Sequence, residues 1–279
     1  MTGASRTVTA PTPVPWGGRL ALAATAVTGV VAFGWPLVLR PGAGFEPMQA
    51  PLLFALVLPL VLAVVLSELT GRTLDTKALA MLGVLSAVGA VLRPLSAGTA
   101  GVDLIFFLLI LGGRVFGAGF GFALGCITLF TSALLTGGVG PWLPYQMLAA
   151  GYVSMAGALW PSLRGRAELA WTAAIGFVTA FAYGWAMDFA FWPFGVGPVT
   201  QFSFDPNAGP LENLHTFVLF NIATSMGWNL GRALTNVVLI LTLGAPLLRV
   251  LRRAARKGMT VAEVPEAALG GNTGAVSRG

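Results

Sequence analysis

The chain has 279 residues, 56% of them hydrophobic and only 9% charged, with 37 glycines and 8 tryptophans. Soluble domains carry about 25% charged residues, and a chain this poor in charge would expose more apolar surface than water tolerates. That excludes an ordinary soluble protein and points to an all-α, multi-span membrane protein. The net charge of +6 does not call for nucleic acid, because the basic residues lie between apolar runs and after the last one, where membrane lipids with anionic headgroups are the expected partners. The one cysteine, Cys126, sits inside an apolar run, so neither an internal disulfide nor a cysteine metal cluster is expected.

Residues 1–18 contain Pro11, Pro13 and Pro15 and are expected to be a disordered lead-in rather than a cleavable signal. A membrane-spanning helix needs about 17 to 25 apolar residues. The first two such runs, 20–39 and 50–66, fall in a segment over 19–70, the second with Pro59 as a kink. Then come 78–92, bounded by Lys77 and Arg93; 102–116, interrupted by Gly112, Gly113 and Arg114; 118–135; 144–159; 170–189; and 231–250. The brief apolar stretch 217–223, flanked by polar residues, reads as an interfacial or re-entrant helix rather than a span. With eight spans both termini share a side, and all but Arg40, Arg93 and Arg232 of the 16 basic residues fall on that side. The positive-inside rule then makes both termini cytoplasmic, in a cell membrane. The tail 258–279 has no periodicity and is expected to be disordered.

The chain has no phosphate-binding GxxxxGK[ST] loop, no HExxH and a single histidine, His215, so nucleotide hydrolysis and multi-histidine metal sites are excluded. Seven acids fall at run ends or in loops, and Asp188 alone lies inside a run. The deep carboxylates of proton-coupled carriers and the aspartate clusters of magnesium-dependent lipid enzymes are both missing. The expected chain is not an enzyme and holds no metal and no cofactor.

Polar and aromatic residues gather instead on the side poor in basic residues. One loop carries Trp142, Tyr145 and Gln146, and a second runs from Trp192 to Trp228 and Asn229, long enough to be a binding loop or lid. Trp185, Asp188 and Trp192 recur at i, i+3, i+7, and Asn229, Arg232 and Asn236 repeat that spacing, so each trio lines one helix stripe. These nine residues are the candidate substrate site, suited to a flat heterocycle. The other reading is an interfacial aromatic belt, with Asp188 neutralising Arg232. Gly83 and Ala87, with Ser86 and Ala90 in the same spacing, form a small-residue stripe that lets helices approach closely. It serves either internal packing or docking to a partner membrane subunit.

The stretch RPLSAGTAGVDLIFFLLILGGRVFGAGFGFALGCITLFTSALLTGGVGPWLPYQMLAAGYVSMAGALW, residues 93–160, resembles the core of the substrate-binding S components of energy-coupling factor (ECF) transporters. The stretch GWNLGRALTNVVLILTLGAPLLRVLRRAARK, residues 227–257, resembles their closing helix. The resemblance implies a six-helix substrate-binding membrane core over 77–257, preceded here by two extra transmembrane helices. It implies a transmembrane coupling subunit and two cytoplasmic ATPase subunits of ABC type as partners, and a vitamin-like ligand held near the outer face. Gly83 and Ala87 match the face that such proteins turn to the coupling subunit. The expected function is vitamin uptake, with cobalamin or a related heterocycle, riboflavin and thiamine all admissible. The alternatives are a stand-alone secondary transporter and a membrane-embedded lipid-modifying enzyme.

Overall fold

Apolar runs closed off by charges and glycines fold as helices, and no strand occurs among the described residues. The structure is a computed structural model that describes residues 76–96, 100–159, 163–195 and 200–259, with parts of 24–36 and 58–65. In chain order the helices are α1 (Thr76–Ser96), α2 (Phe106–Phe116), α3 (Ala118–Thr136), α4 (Leu143–Ala156), α5 (Gly165–Gly195), α6 (Pro210–Thr224) and α7 (Met226–Met259). Four of them contain stretches long and apolar enough to cross a membrane: Lys77–Ser96, Ala118–Thr136, Gly165–Phe194 and Met226–Arg256. At about 1.5 Å per residue, 20 helical residues cover the hydrocarbon layer.

The helices α2 and α4, of 11 and 14 residues, are short for a span and lie inside the bundle. Phe106 to Gly113 of α2 are all buried, as is most of α4. Their ends therefore face protein, where backbone that stops short of the full span can still find partners. Glycine lets α2, α3 and α4 touch main chain to main chain. A Cβ at Gly125 would strike the Ala150 carbonyl, and one at Gly113 the Ser154 carbonyl. Ser154 fixes the same junction by donating from Oγ to the Leu109 carbonyl oxygen at 2.7 Å. A single residue, Gly117, joins α2 to α3 with φ of 96°, a conformation that glycine reaches without the cost a Cβ imposes.

The long helices α5 and α7 run antiparallel. Glu168 meets Arg252 at one end, the Asn236 amide donates to the Gly176 carbonyl oxygen midway at 3.3 Å, and Gly184 abuts Asn229 near the other. The helix α6 begins with proline in its first turn, where the missing N–H costs nothing. Its buried residues Asn213, Phe217 and Asn221 recur every four positions, while Leu211 and Ile222 stay exposed.

The observed boundaries differ from the apolar runs for physical reasons. The helix over 102–116 starts only at Phe106, because 100–105 form a turn with Ala100 and Gly101 at positive φ. The stretch 217–223 is the second half of a 15-residue helix, hidden in the sequence by Glu212, Asn213 and His215, of which Asn213 faces inward and the other two are exposed. The last helix continues past Val250 through the arginines to Met259, two residues into the segment expected to be disordered. The run 50–66 lies mostly outside the described residues and the run 20–39 lies partly outside them. Their described parts are helical, and Phe33 packs edge-on to Tyr145 with ring centroids 5.8 Å apart. Residues 1–18 and 260–279 lie outside the described residues.

Candidate functional site

A cavity of about 490 Å³ opens at the end of the bundle where α1 finishes and α7 begins, with Arg93, Asp103, Gln146, Tyr183 and Arg232 among its walls. Trp142 and Trp228 also line it, both roughly half exposed. Two glycines build one wall by letting the 100–105 turn press against α7. A Cβ at Gly101 would overlap the Trp228 main chain, and one at Gly231 would strike the Ala100 carbonyl. That contact carries Asp103 to Arg232. Ser96 braces the turn, accepting from the Leu104 N–H at 3.3 Å and donating to the Arg93 carbonyl oxygen at 3.2 Å. On the opposite wall α3 ends at Gly137 in the left-handed conformation, and Trp142 folds back to donate its indole N–H to the Gly138 carbonyl oxygen at 3.3 Å.

Two guanidinium groups meet one carboxylate here. Arg93 Nη2 donates to Gln146 Oε1 at 3.0 Å. Arg232 lies over the rings of Tyr183 and Phe106, 5.1 and 5.7 Å from their centroids, at cation–π distance, and its Nη1 donates to Asn229 Oδ1 at 3.0 Å. Arg232 Nε is shielded from solvent and has no hydrogen-bond partner among the described residues. Asp103 Oδ2 stands 3.9 Å from it, an ion pair but too long for a hydrogen bond. Asp103 Oδ1 accepts from the Ile105 N–H at 3.2 Å. Burial outweighs the pull of Arg232, the Ile105 bond and Arg93, and holds the Asp103 carboxyl above the usual carboxylate range.

Of the nine sequence candidates, Trp142, Gln146 and Arg232 line this cavity, and buried Asn229 supports Arg232 from behind. Asn236 lies a turn deeper, bonded to Gly176. Tyr145 faces the core between Phe33 and Phe191. Trp185, Asp188 and Trp192 do share a helix face, but that face meets α6. Trp185 and Trp192 pack edge-on to Phe217, Asp188 Oδ2 accepts from Asn221 Nδ2 at 2.7 Å, and the Trp192 indole donates to the Phe202 carbonyl oxygen at 2.6 Å. Asp103, rather than Asp188, is the carboxylate paired with Arg232. Arg93, Asp103, Tyr183 and Trp228 line the cavity without having been selected from the sequence. The available signal was that Arg93 and Arg232 are two of only three basic residues on the sparsely basic side.

The small-residue stripe of α1 divides. Ser86 and Ala90 are buried against the bundle, whereas Gly83 and Ala87 are exposed, and a Cβ at Gly83 would meet nothing within 4 Å. Among the described residues no three His, Cys, Asp or Glu side chains converge on a metal-sized site. The groups that could grip a ligand in the cavity are guanidinium, carboxylate, amide, hydroxyl and indole. No family model matches the chain, and neither does any curated protein or solved structure.

Proposed function

We propose that the chain is the substrate-binding subunit of an ATP-driven, energy-coupling-factor-type uptake transporter, taking a vitamin-like small molecule such as cobalamin or another heterocycle. The observation that carries this reading is the cavity at one end of an apolar helical bundle, where the ends of α1, α3, α4, α5 and α7 converge on two arginines, an amide and two half-exposed tryptophans. Aromatic walls with a few directed polar groups suit a small organic ligand. Among the described residues Arg93 and Arg232 are the basic residues of that end, while Arg114, Arg164, Arg166 and Arg249 to Arg256 gather at the other. By the positive-inside rule the cavity then opens outward and both termini are cytoplasmic. In this reading α1 to α5 and α7 form the six-helix core, the runs 20–39 and 50–66 add two spans, and the exposed Gly83 and Ala87 offer a close-approach face to the coupling subunit.

The test is co-expression with a coupling subunit and its ATPases, followed by uptake in proteoliposomes with and without ATP. Uptake should require the whole assembly, and Gly83→Leu with Ala87→Leu should abolish copurification while leaving the chain folded. Uptake by the chain alone, driven by an ion gradient, would make it a secondary transporter instead.

A further inference from the structure

The cavity walls carry an excess of positive charge. Arg93 and Arg232 contribute two cations, and Asp103 is the one carboxylate among the lining residues. Arg93 is hydrogen-bonded to a neutral amide, so two guanidinium groups share the one carboxylate. Arg232 has its Nη1 satisfied by Asn229, its guanidinium plane covered by Tyr183 and Phe106, and its Nε shielded from solvent without a hydrogen-bond partner among the described residues. A shielded guanidinium donor without an acceptor is costly in a site of low polarity. An anion in the cavity would give the guanidinium of Arg232 a closer charge partner than Asp103 Oδ2, which stands 3.9 Å from Nε. Trp142 and Trp228 offer flat apolar faces in the same space, and the volume falls within the range of sites for drug-sized ligands.

We infer that the cavity selects a planar ligand with a net negative charge, its carboxylate or phosphate held by Arg93 and Arg232 and its ring system covered by Trp142 and Trp228. The inference rests on the cavity being the ligand site of the proposed uptake subunit, and it narrows the ligand class. Asp103 is then the resident counter-ion of Arg232, from which the incoming anion takes over the guanidinium. A cationic heterocycle would meet two guanidinium groups and is disfavoured by like-charge repulsion.

The experiment uses the purified full chain in detergent, with quenching of tryptophan fluorescence by matched pairs of planar probes. Nicotinate against nicotinamide and indole-3-acetate against indole-3-acetamide report on a carboxylate, and flavin mononucleotide against riboflavin reports on a phosphate. Thiamine is the cationic control. In at least one pair the anion should bind about tenfold to a hundredfold more tightly than its neutral partner, the span expected for charge-assisted hydrogen bonds. Arg232→Gln should remove that preference. Arg93→Gln, at the cavity mouth, should reduce it and guards against the first variant failing to fold, which circular dichroism and size exclusion would reveal. Equal or tighter binding of the neutral or cationic probes, absence of discrimination in every pair, or a preference that survives both substitutions would overturn the inference. These outcomes separate from those of the uptake reading. A neutral ligand leaves an uptake subunit intact, and an anion preference survives a failure to assemble with a coupling subunit.

Discussion

The two ends of the bundle hold the same kinds of charge and use them in opposite ways. At one end Glu168, 3% exposed, receives Arg114 Nε at 2.9 Å and Arg252 Nη2 at 2.5 Å, so one carboxylate closes a junction of α2, α5 and α7. At the other, Arg232 and Asp103 stand 3.9 Å apart beside a cavity, and the Arg93 side chain is hydrogen-bonded to the Gln146 amide rather than to a carboxylate. The first arrangement gives both guanidinium groups direct contact with a carboxylate. The second leaves two guanidinium groups without a close carboxylate contact on the walls of a space that a small molecule can enter. A charge cluster thus reads as structure or as site according to whether its hydrogen-bonding capacity is already used up.

The strongest way to break this comparison is at the closed end. Glu168→Ala removes the carboxylate shared by two guanidinium groups, of which Arg114 is 10% exposed and Arg252 38%. Breaking a buried pair costs about 3 to 5 kcal/mol, and solvation of the more exposed Arg252 moves the expectation toward the lower figure. Thermal unfolding in detergent should show a large loss, with probe affinity in the surviving folded protein unchanged. An equal loss of probe affinity would mean that the two ends are coupled.

The open end is expected to behave the other way round. Trp142 is 45% exposed and lines the cavity, so Trp142→Ala should leave stability within about 0.5 kcal/mol. It should weaken the best-bound planar probe by about 1 to 3 kcal/mol, the range for a ring stacked on an aromatic side chain. Isothermal calorimetry beside thermal unfolding reads both quantities, and a variant that loses stability but keeps affinity would return Trp142 to the interfacial belt.

Chain order and local spacing carried much of this architecture into the sequence. Lys77 and Arg93 lie near the two ends of α1 as they bound its apolar run, and the i, i+3, i+7 stripe of Trp185, Asp188 and Trp192 is a real helix face. Periodicity tells which residues share a face but not what that face meets. This one meets α6, a helix whose inward Asn213 and outward Glu212 and His215 broke the apolar run. Asp103 and Arg93 read as run boundaries because their roles depend on the Gly101–Trp228 and Gly231–Ala100 contacts. Such approaches join residues more than a hundred positions apart and leave no local pattern. The glycine-rich look of α2 and α3 was visible, but its meaning depended on which backbone lies opposite Gly113 and Gly125.

The smallest expected effect is the one that tests the open end most directly. Asp103 sits in the turn ahead of α2, and the charged and titratable groups facing it are Arg232 of α7, Arg93 of α1 and Tyr183 of α5. Burial raises its carboxyl above the ordinary value of 3.8, so the folded protein holds this proton more tightly than the unfolded chain does. The stabilisation from that proton is fully present below the unfolded value and is lost as pH rises through the folded one. Ligand binding follows the same direction, because protonation removes the one negative charge competing for Arg232. Affinity for an anionic probe should therefore rise as pH falls through the raised Asp103 value, while the probe itself stays ionised. Asp103→Asn should hold the anion roughly threefold to tenfold more tightly at neutral pH, the scale of one charge at several ångströms in a partly hydrated site, and should flatten the pH profile. Flavin mononucleotide, whose phosphate keeps at least one negative charge throughout, is the suitable probe. A profile of unchanged slope in Asp103→Asn would show that another group sets the charge of the cavity.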